Sequence, residues 1–249
     1  MTSITSPHNA HLKALRRLRR RGERERSGVF VVEGEDLIAA AQRAGRVPLE
    51  GYRLSGSQLG GEGFHDVHAT ALKSASTLAS GTRVIGVYEQ RWSPPAGPLC
   101  VYLHGVGDPG NVGTVLRAAH AFGASCVALG PECADPHSPK ALRASMGAIF
   151  SVALASVADV SELPGERIAL EPAATELLRS PGRGQADART LLVGGERQGL
   201  PAQVLAACER RARLTAGGES LNAAMAATVA LYELTRHGSP LPASSRVPR

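Results

Sequence analysis

The chain has 249 residues, 43% apolar, 20% charged and 4% aromatic, with mean hydropathy −0.08, a composition that excludes intrinsic disorder. That length accommodates one large domain or two smaller ones, each with its own core. Charge-free runs such as 147–158 and 222–232 fall far short of the ~20 apolar residues of a membrane span, and the N-terminus lacks the apolar stretch of a secretory signal. Neither a membrane nor a secreted protein is therefore expected.

Lys and Arg number 28 against 22 Asp and Glu, a net charge of +6. Residues 1–26 hold eight of the cations (Lys13, Arg16, Arg17, Arg19, Arg20, Arg21, Arg24, Arg26) and two acids, Glu23 and Glu25, so this segment carries the whole excess. Leu12, Leu15 and Leu18 recur every three residues within it. They predict a short amphipathic helix with a cationic outer face, and Asn9 is placed to cap it. A local basic patch points to a polyanion, nucleic acid above all. Two blander readings compete: an ordinary solvated helix face and a mitochondrial transit peptide. The run leads straight into the strand-like Val29–Val32, which disfavours a transit peptide.

Further along, helices are expected near Glu35–Arg43 and Thr70–Leu78, and strands at Tyr52–Leu54 and Val84–Tyr88. Residues 91–98 carry three prolines and a glycine and read as a linker between a domain over 1–90 and one over 99–238. In the second domain strands and helices alternate. Strands are predicted at Leu99–Leu103, Cys126–Leu129, Ser151–Ala155, Arg167–Leu170 and Leu191–Val193. Helices are predicted at Val112–Phe122, Pro139–Ile149, Pro201–Ala207 and Leu221–Thr235. This rhythm predicts an α/β fold with a mostly parallel sheet covered by helices on both faces. Residues 239–249, rich in Pro and Ser, read as a mobile tail. Cys100, Cys126, Cys133 and Cys208 lack CxxC or metal-ligand spacing, so no metal site or disulfide framework is expected, and four reduced thiols suit a cytoplasmic protein.

Gly105-Val-Gly-Asp-Pro-Gly110 matches GxGxxG after a strand and before a helix, so a NAD-binding Rossmann loop, and with it an oxidoreductase, is one reading. Pro109 stiffens the stretch that would wrap a pyrophosphate. A tight turn with Asp108 or Asn111 as helix cap is the simpler one.

The wider segment Leu103–Ala124, with Asn111 and Arg117, strongly resembles the first motif of the SpoU/TrmH family of RNA 2′-O-ribose methyltransferases, of the knotted SPOUT class. Leu191-Leu-Val-Gly-Gly-Glu196-Arg-Gln-Gly-Leu-Pro201 and Leu214-Thr-Ala-Gly-Gly-Glu-Ser220-Leu-Asn222-Ala-Ala are similar to its second and third motifs, in the same order. Asp135–Gly147 and Arg24–Ala41 also resemble the family, the latter its N-terminal RNA-binding domain. The third motif departs from the family's usual Ile-Pro opening, with Leu214-Thr215 in its place.

The resemblance implies a C-terminal trefoil-knotted SPOUT domain joined to a small N-terminal α/β RNA-binding domain. It implies S-adenosylmethionine held by the backbones around Gly194, Gly195, Leu214, Gly217, Leu221 and Asn222, where glycines permit close approach. It assigns the central catalytic role to Arg117, with Asn111, Glu196, Ser220 and Asn222 around it. Asn111 and Arg117, six residues apart on one helix, are expected to share a broad face toward the glycine loop. Glu196 reads equally as a plain helix-terminus charge, and Ser220 and Asn222 as caps of the last helix. Arg16, Arg17, Arg20, Arg21, Arg24 and Arg143 are the expected RNA contacts. The family's homodimers build each site from both subunits, and ribosomal RNA is the expected substrate. A catalytically silent RNA-binding protein of the same fold, serving ribosome assembly, is the alternative.

Overall fold

The computed structural model describes residues 3–179, 188–215 and 221–236. Gly217, Ser220 and the expected tail 239–249 lie outside the described residues. In chain order the first elements are α1 (Ala10–Arg17), α2 (Arg21–Ser27), β1 (Val29–Glu33), α3 (Glu35–Arg43), β2 (Glu50–Leu54), β3 (Phe64–Val67), α4 (Ala69–Ala75) and β4 (Val84–Glu89). Then follow β5 (Leu99–His104), α5 (Pro109–Ala121), β6 (Cys126–Leu129), α6 (Pro139–Ser145), β7 (Ala153–Ser156) and β8 (Glu166–Leu170). The last are β9 (Glu176–Leu177), β10 (Arg189–Gly194), α7 (Ala202–Ala206), β11 (Arg210–Arg213) and α8 (Ala223–Thr235). Among the described residues no helix is long and apolar enough to cross a membrane.

Contacts divide the chain into two compact units. The first comprises Met1–Arg91 with Asp135–Ser151, so α6 packs with it although the sequence partition groups that segment with 99–238. Its four-stranded sheet runs β1-β4-β2-β3. Leu12, Leu15, Tyr52, Leu72 and Ile85 fill the core beneath α1 and α4. Asn9 caps α1, its Oδ1 accepting from His11 N–H at 2.9 Å.

The basic segment forms two helices, not one. Arg24 is responsible, because its Nη1 donates to the carbonyls of Leu18 and Arg19, both at 2.7 Å, and so satisfies the chain where it turns. Arg24 is only 3% exposed, and its Nε and Nη2 donate to Asp135 Oδ2 at 2.8 and 2.5 Å. The expectation that Arg24 contacts RNA is thereby corrected: its donors are spent on its own fold. The helix expected to reach residue 149 stops at Ser145, because Met146 (φ 49°) and Gly147 (φ 87°) are left-handed. A Cβ on Gly147 would lie 2.3 Å from Ala40 Cβ of α3, so only glycine fits that contact.

The second unit holds a seven-stranded sheet in the order β7-β6-β5-β10-β8-β11-β9, parallel in every pairing. Tyr102, Cys100, Cys126, Ala169 and Leu192 fill part of its core. β11 went unpredicted because Arg210-Arg-Ala-Arg213 has no apolar run. Arg210 is instead neutralised by Glu176 and by Glu166, the latter at 3.5 Å.

Burial alone would push the Asp135 carboxyl up. Hydrogen bonds from His137 and Arg24, and the charge of Arg24, outweigh it and hold the group down at about 2 instead of its ordinary 3.8. The depressed value means this contribution to stability is complete above pH ~4 and is lost as pH falls toward 2. Urea unfolding should show that loss, and Asp135→Asn should flatten it. Arg24→Ala, which leaves the carboxylate buried without its cation, should cost about 3–5 kcal/mol at neutral pH.

Candidate active site

In a parallel sheet the carboxyl ends of the strands converge on one edge, and loops there form crevices where the strand order reverses. Here the chain steps outward from β5 to β6 and β7, then returns to place β10 between β5 and β8. The loops after β5 and β10 meet at that edge. Gly105 takes φ 66°, and a Cβ on Gly195 would lie 2.3 Å from its carbonyl oxygen. A Cβ on Gly194 would lie 2.2 Å from the Gly199 carbonyl carbon. The turn closes on itself through Gly199 N–H donating to Gly195 O at 2.9 Å. Backbone therefore approaches backbone at positions no other residue can occupy unstrained.

Beside this contact lies a cavity of about 390 Å³. Gly194, Gly195, Leu214 and Leu221, four expected cofactor residues, line it with Glu196. None of residues 105–110 does, and Asp108 instead caps α5, accepting from Gly110 and Asn111 N–H at 2.6 and 3.1 Å. The GxGxxG match is a turn and helix cap here, which removes the ground for the NAD reading.

Three of the expected catalytic side chains come together. Glu196 Oε1 accepts a hydrogen bond from Asn111 Nδ2 and another, at 3.4 Å, from Asn222 Nδ2. Asn222 Nδ2 also donates to Asn111 Oδ1 at 3.1 Å. The Asn222 Oδ1 caps α8, accepting from Ala224 and Met225 N–H at 3.0 and 3.3 Å. The Glu196 carboxylate thus bridges the first turns of α5 and α8, whose positive dipole ends favour an anion. The cap that Asn222 supplies and its contact with Glu196 are two uses of one side chain.

Arg117 does not join the cluster. It is exposed on α5, and no hydrogen bond or ion pair ties it to Asn111, Glu196 or Asn222. Six residues advance a helix by about 600°, which leaves it roughly 120° from Asn111, so the expected shared face is corrected. Ser220 and Gly217 lie outside the described residues. In the first unit Arg17, Arg20 and Arg21 are exposed, as is Arg143 on α6, while half-buried Arg16 donates to Ser74 Oγ and Pro7 O. Among the described residues no cluster of His, Cys, Asp or Glu is built to hold a metal.

Sequence reading missed Leu170, Glu171, Pro172, Arg197, Gln198 and Arg213, all of which line the cavity. Leu170 ends β8, Glu171 and Pro172 follow it directly and Arg213 ends β11, so the rule that ligands sit at strand carboxyl ends was the available signal. If the loop contact holds the cavity open, Gly195→Ala should destabilise the chain by about 1–3 kcal/mol in chemical unfolding, because a backbone must move to admit the methyl.

Residues 98–232 match the model of the SpoU rRNA methylase family. An uncharacterised tRNA/rRNA methyltransferase of Synechocystis sp. is 31% identical over 95% of this chain and 94% of its own length. The 23S rRNA (guanosine(2553)-2′-O)-methyltransferase RlmP of Bacillus subtilis is 27% identical over 94% of this chain and 99% of its own. The crystal structure of an AdoMet-bound rRNA methyltransferase from Sinorhizobium meliloti superposes with TM-score 0.84 at 28% identity, covering 96% of this chain and 99% of that one. With described residues of the second and third motifs lining one cavity, and Asn111 of the first hydrogen-bonded to Glu196 on its wall, the chain is an RNA methyltransferase belonging to the SpoU rRNA methylase family.

Proposed function

We propose that this enzyme transfers a methyl group from S-adenosylmethionine to a ribose 2′-hydroxyl of ribosomal RNA, as a homodimer in the cytoplasm. The observation that carries the reading is the hydrogen-bonded Asn111–Glu196–Asn222 cluster, whose carboxylate stands on the wall of the glycine-lined cavity. The cofactor bound in the Sinorhizobium neighbour and the 2′-O chemistry in the name of RlmP support it.

The residues present fit the cofactor. A volume of about 390 Å³ lies within the roughly 300–1,000 Å³ of small-molecule sites. Leu170, Val193, Leu214 and Leu221 offer apolar walls to a purine, and positions 194 and 195 expose backbone because no Cβ fits there. When bound, the cofactor supplies a methyl group already activated on a sulfonium. What remains for the protein is to orient the hydroxyl and manage its proton. Two amides and a carboxylate form a donor and acceptor set suited to a sugar hydroxyl. A guanidinium keeps its proton in proteins, so Arg117 is no base; its role is to stabilise the developing alkoxide and the adjoining phosphate.

That role requires a second copy, since Arg117 stands off the cluster of its own chain. Leu221, Met225, Val229 and Tyr232 are 37–60% exposed and recur at helical spacing along and just before α8, an apolar stripe that supports self-association. The exposed Arg17, Arg20, Arg21 and Arg143 support RNA binding by the first unit. The insertion of β10 between β5 and β8 supports a knotted path. Four free cysteines suit a reducing compartment.

Mapping ribose methylation in total RNA from cells with and without this enzyme should reveal one or a few ribosomal sites that vanish in its absence. Arg117→Ala should abolish that transfer while AdoMet binding by calorimetry stays near wild type; unchanged turnover would exclude Arg117 from the mechanism. Met225→Asp should shift the enzyme from dimer to monomer in analytical ultracentrifugation, whereas a monomeric wild type would remove the homodimer.

A further inference from the structure

Glu196 does not stand alone on its turn. Arg197 and Gln198 follow it at the exposed tip, and all three line the cavity. The turn is held at its base by the 2.9 Å hydrogen bond from Gly199 N–H to Gly195 O, with Gly199 at φ 63°. The position of Arg197 is thus set by the same short loop that sets Glu196.

Four other arginines of this unit are neutralised. Arg167 meets Glu209 at 2.5 Å, Arg189 and Arg210 meet Glu166 at 3.6 and 3.5 Å, and Arg236 meets Glu233 at 3.0 Å. Arg197 makes no ion pair with any described residue, and the nearest carboxylate in sequence, Glu196, is already engaged by two amides. An exposed guanidinium beside the reacting centre is therefore left with its full fork of donors.

The chemistry of the acceptor supplies the partner. A ribose 2′-hydroxyl is flanked on the same sugar by the oxygen that carries the 3′-phosphate. Any pose that brings the hydroxyl to the Asn111–Glu196–Asn222 cluster brings a phosphodiester alongside it. We propose that Arg197 is a positioning residue that grips a phosphate of the target nucleotide and so sets the angle at which the hydroxyl enters. The inference rests on the reading of the cluster as the site of ribose methylation. Arginine suits the task because its planar fork binds two phosphate oxygens at once.

The test uses the full chain, a 23S rRNA transcript and tritiated AdoMet. Arg197→Gln should raise KM for RNA roughly tenfold with kcat within about twofold. It should also lower the slope of log affinity against log salt by about one contact, leave the AdoMet dissociation constant unchanged, and be partly rescued by Arg197→Lys. Unaltered AdoMet binding by the variant certifies that its cavity is folded. Unchanged KM and salt slope would overturn the assignment. So would weakened AdoMet binding with an unchanged KM for RNA, which would give Arg197 to the cofactor's carboxylate instead. A wild-type chain that binds AdoMet but transfers no methyl to the transcript would strike the substrate reading itself, and this assignment with it.

Discussion

Everything in the second unit hangs on how closely two loops can approach. The turn after β10 sits against the carbonyl of Gly105 with no room for a Cβ at residue 195, and its own chain closes over residue 194 in the same way. That contact sets the height of Glu196 above the sheet. It also leaves room for Asn111, in the first turn of α5, to reach the carboxylate. Asn222 then ties in the start of α8, using its oxygen for the helix and its nitrogen for the site. A site assembled this way carries little freedom of its own, because each polar group is fixed by a helix end or a closed turn.

The first unit is organised by a different constraint. A guanidinium is costly to bury unless every donor is satisfied. Arg24 meets that condition by spending its donors on two carbonyls at a helix break and on Asp135, more than a hundred residues away in sequence. In doing so it fixes the approach to α6 within the fold of the N-terminal segment. A residue that composition marks as a nucleic-acid contact serves instead as an internal clasp, while its neighbours Arg17, Arg20 and Arg21 lie on the surface, Arg21 paired with Glu25 at 2.7 Å.

Much of this architecture was legible in the residues. Asn9, Asp108 and Asn222 are caps because short polar side chains before a helix satisfy orphan N–H groups, a local effect that sequence records directly. α3 and β6 follow from apolar periodicity and coincide with expectation at both ends. What escaped depends on distant partners. β11 is a strand through its pairing with β8 and β9, where Glu166 and Glu176 neutralise Arg210, and β3 carries His65-Asp66 in place of an apolar alternation, with Asp66 paired to Arg53 at 2.9 Å. The orientation of Arg117 follows from helical phase, which spacing alone already contained. The burial of Arg24 follows from a contact that spacing does not contain.

The order of strands has a bearing on how the chain reaches this state. β10 occupies the middle of its sheet yet is made after five of its companions, and its neighbour β5 comes from a much earlier segment. A nascent chain emerging from the ribosome cannot complete the sheet in the order of synthesis. The gap at its centre stays open until residue 194 is available. Such non-local closure carries a large loop entropy before any contact repays it, so slow, late-committing assembly is built into the strand order itself.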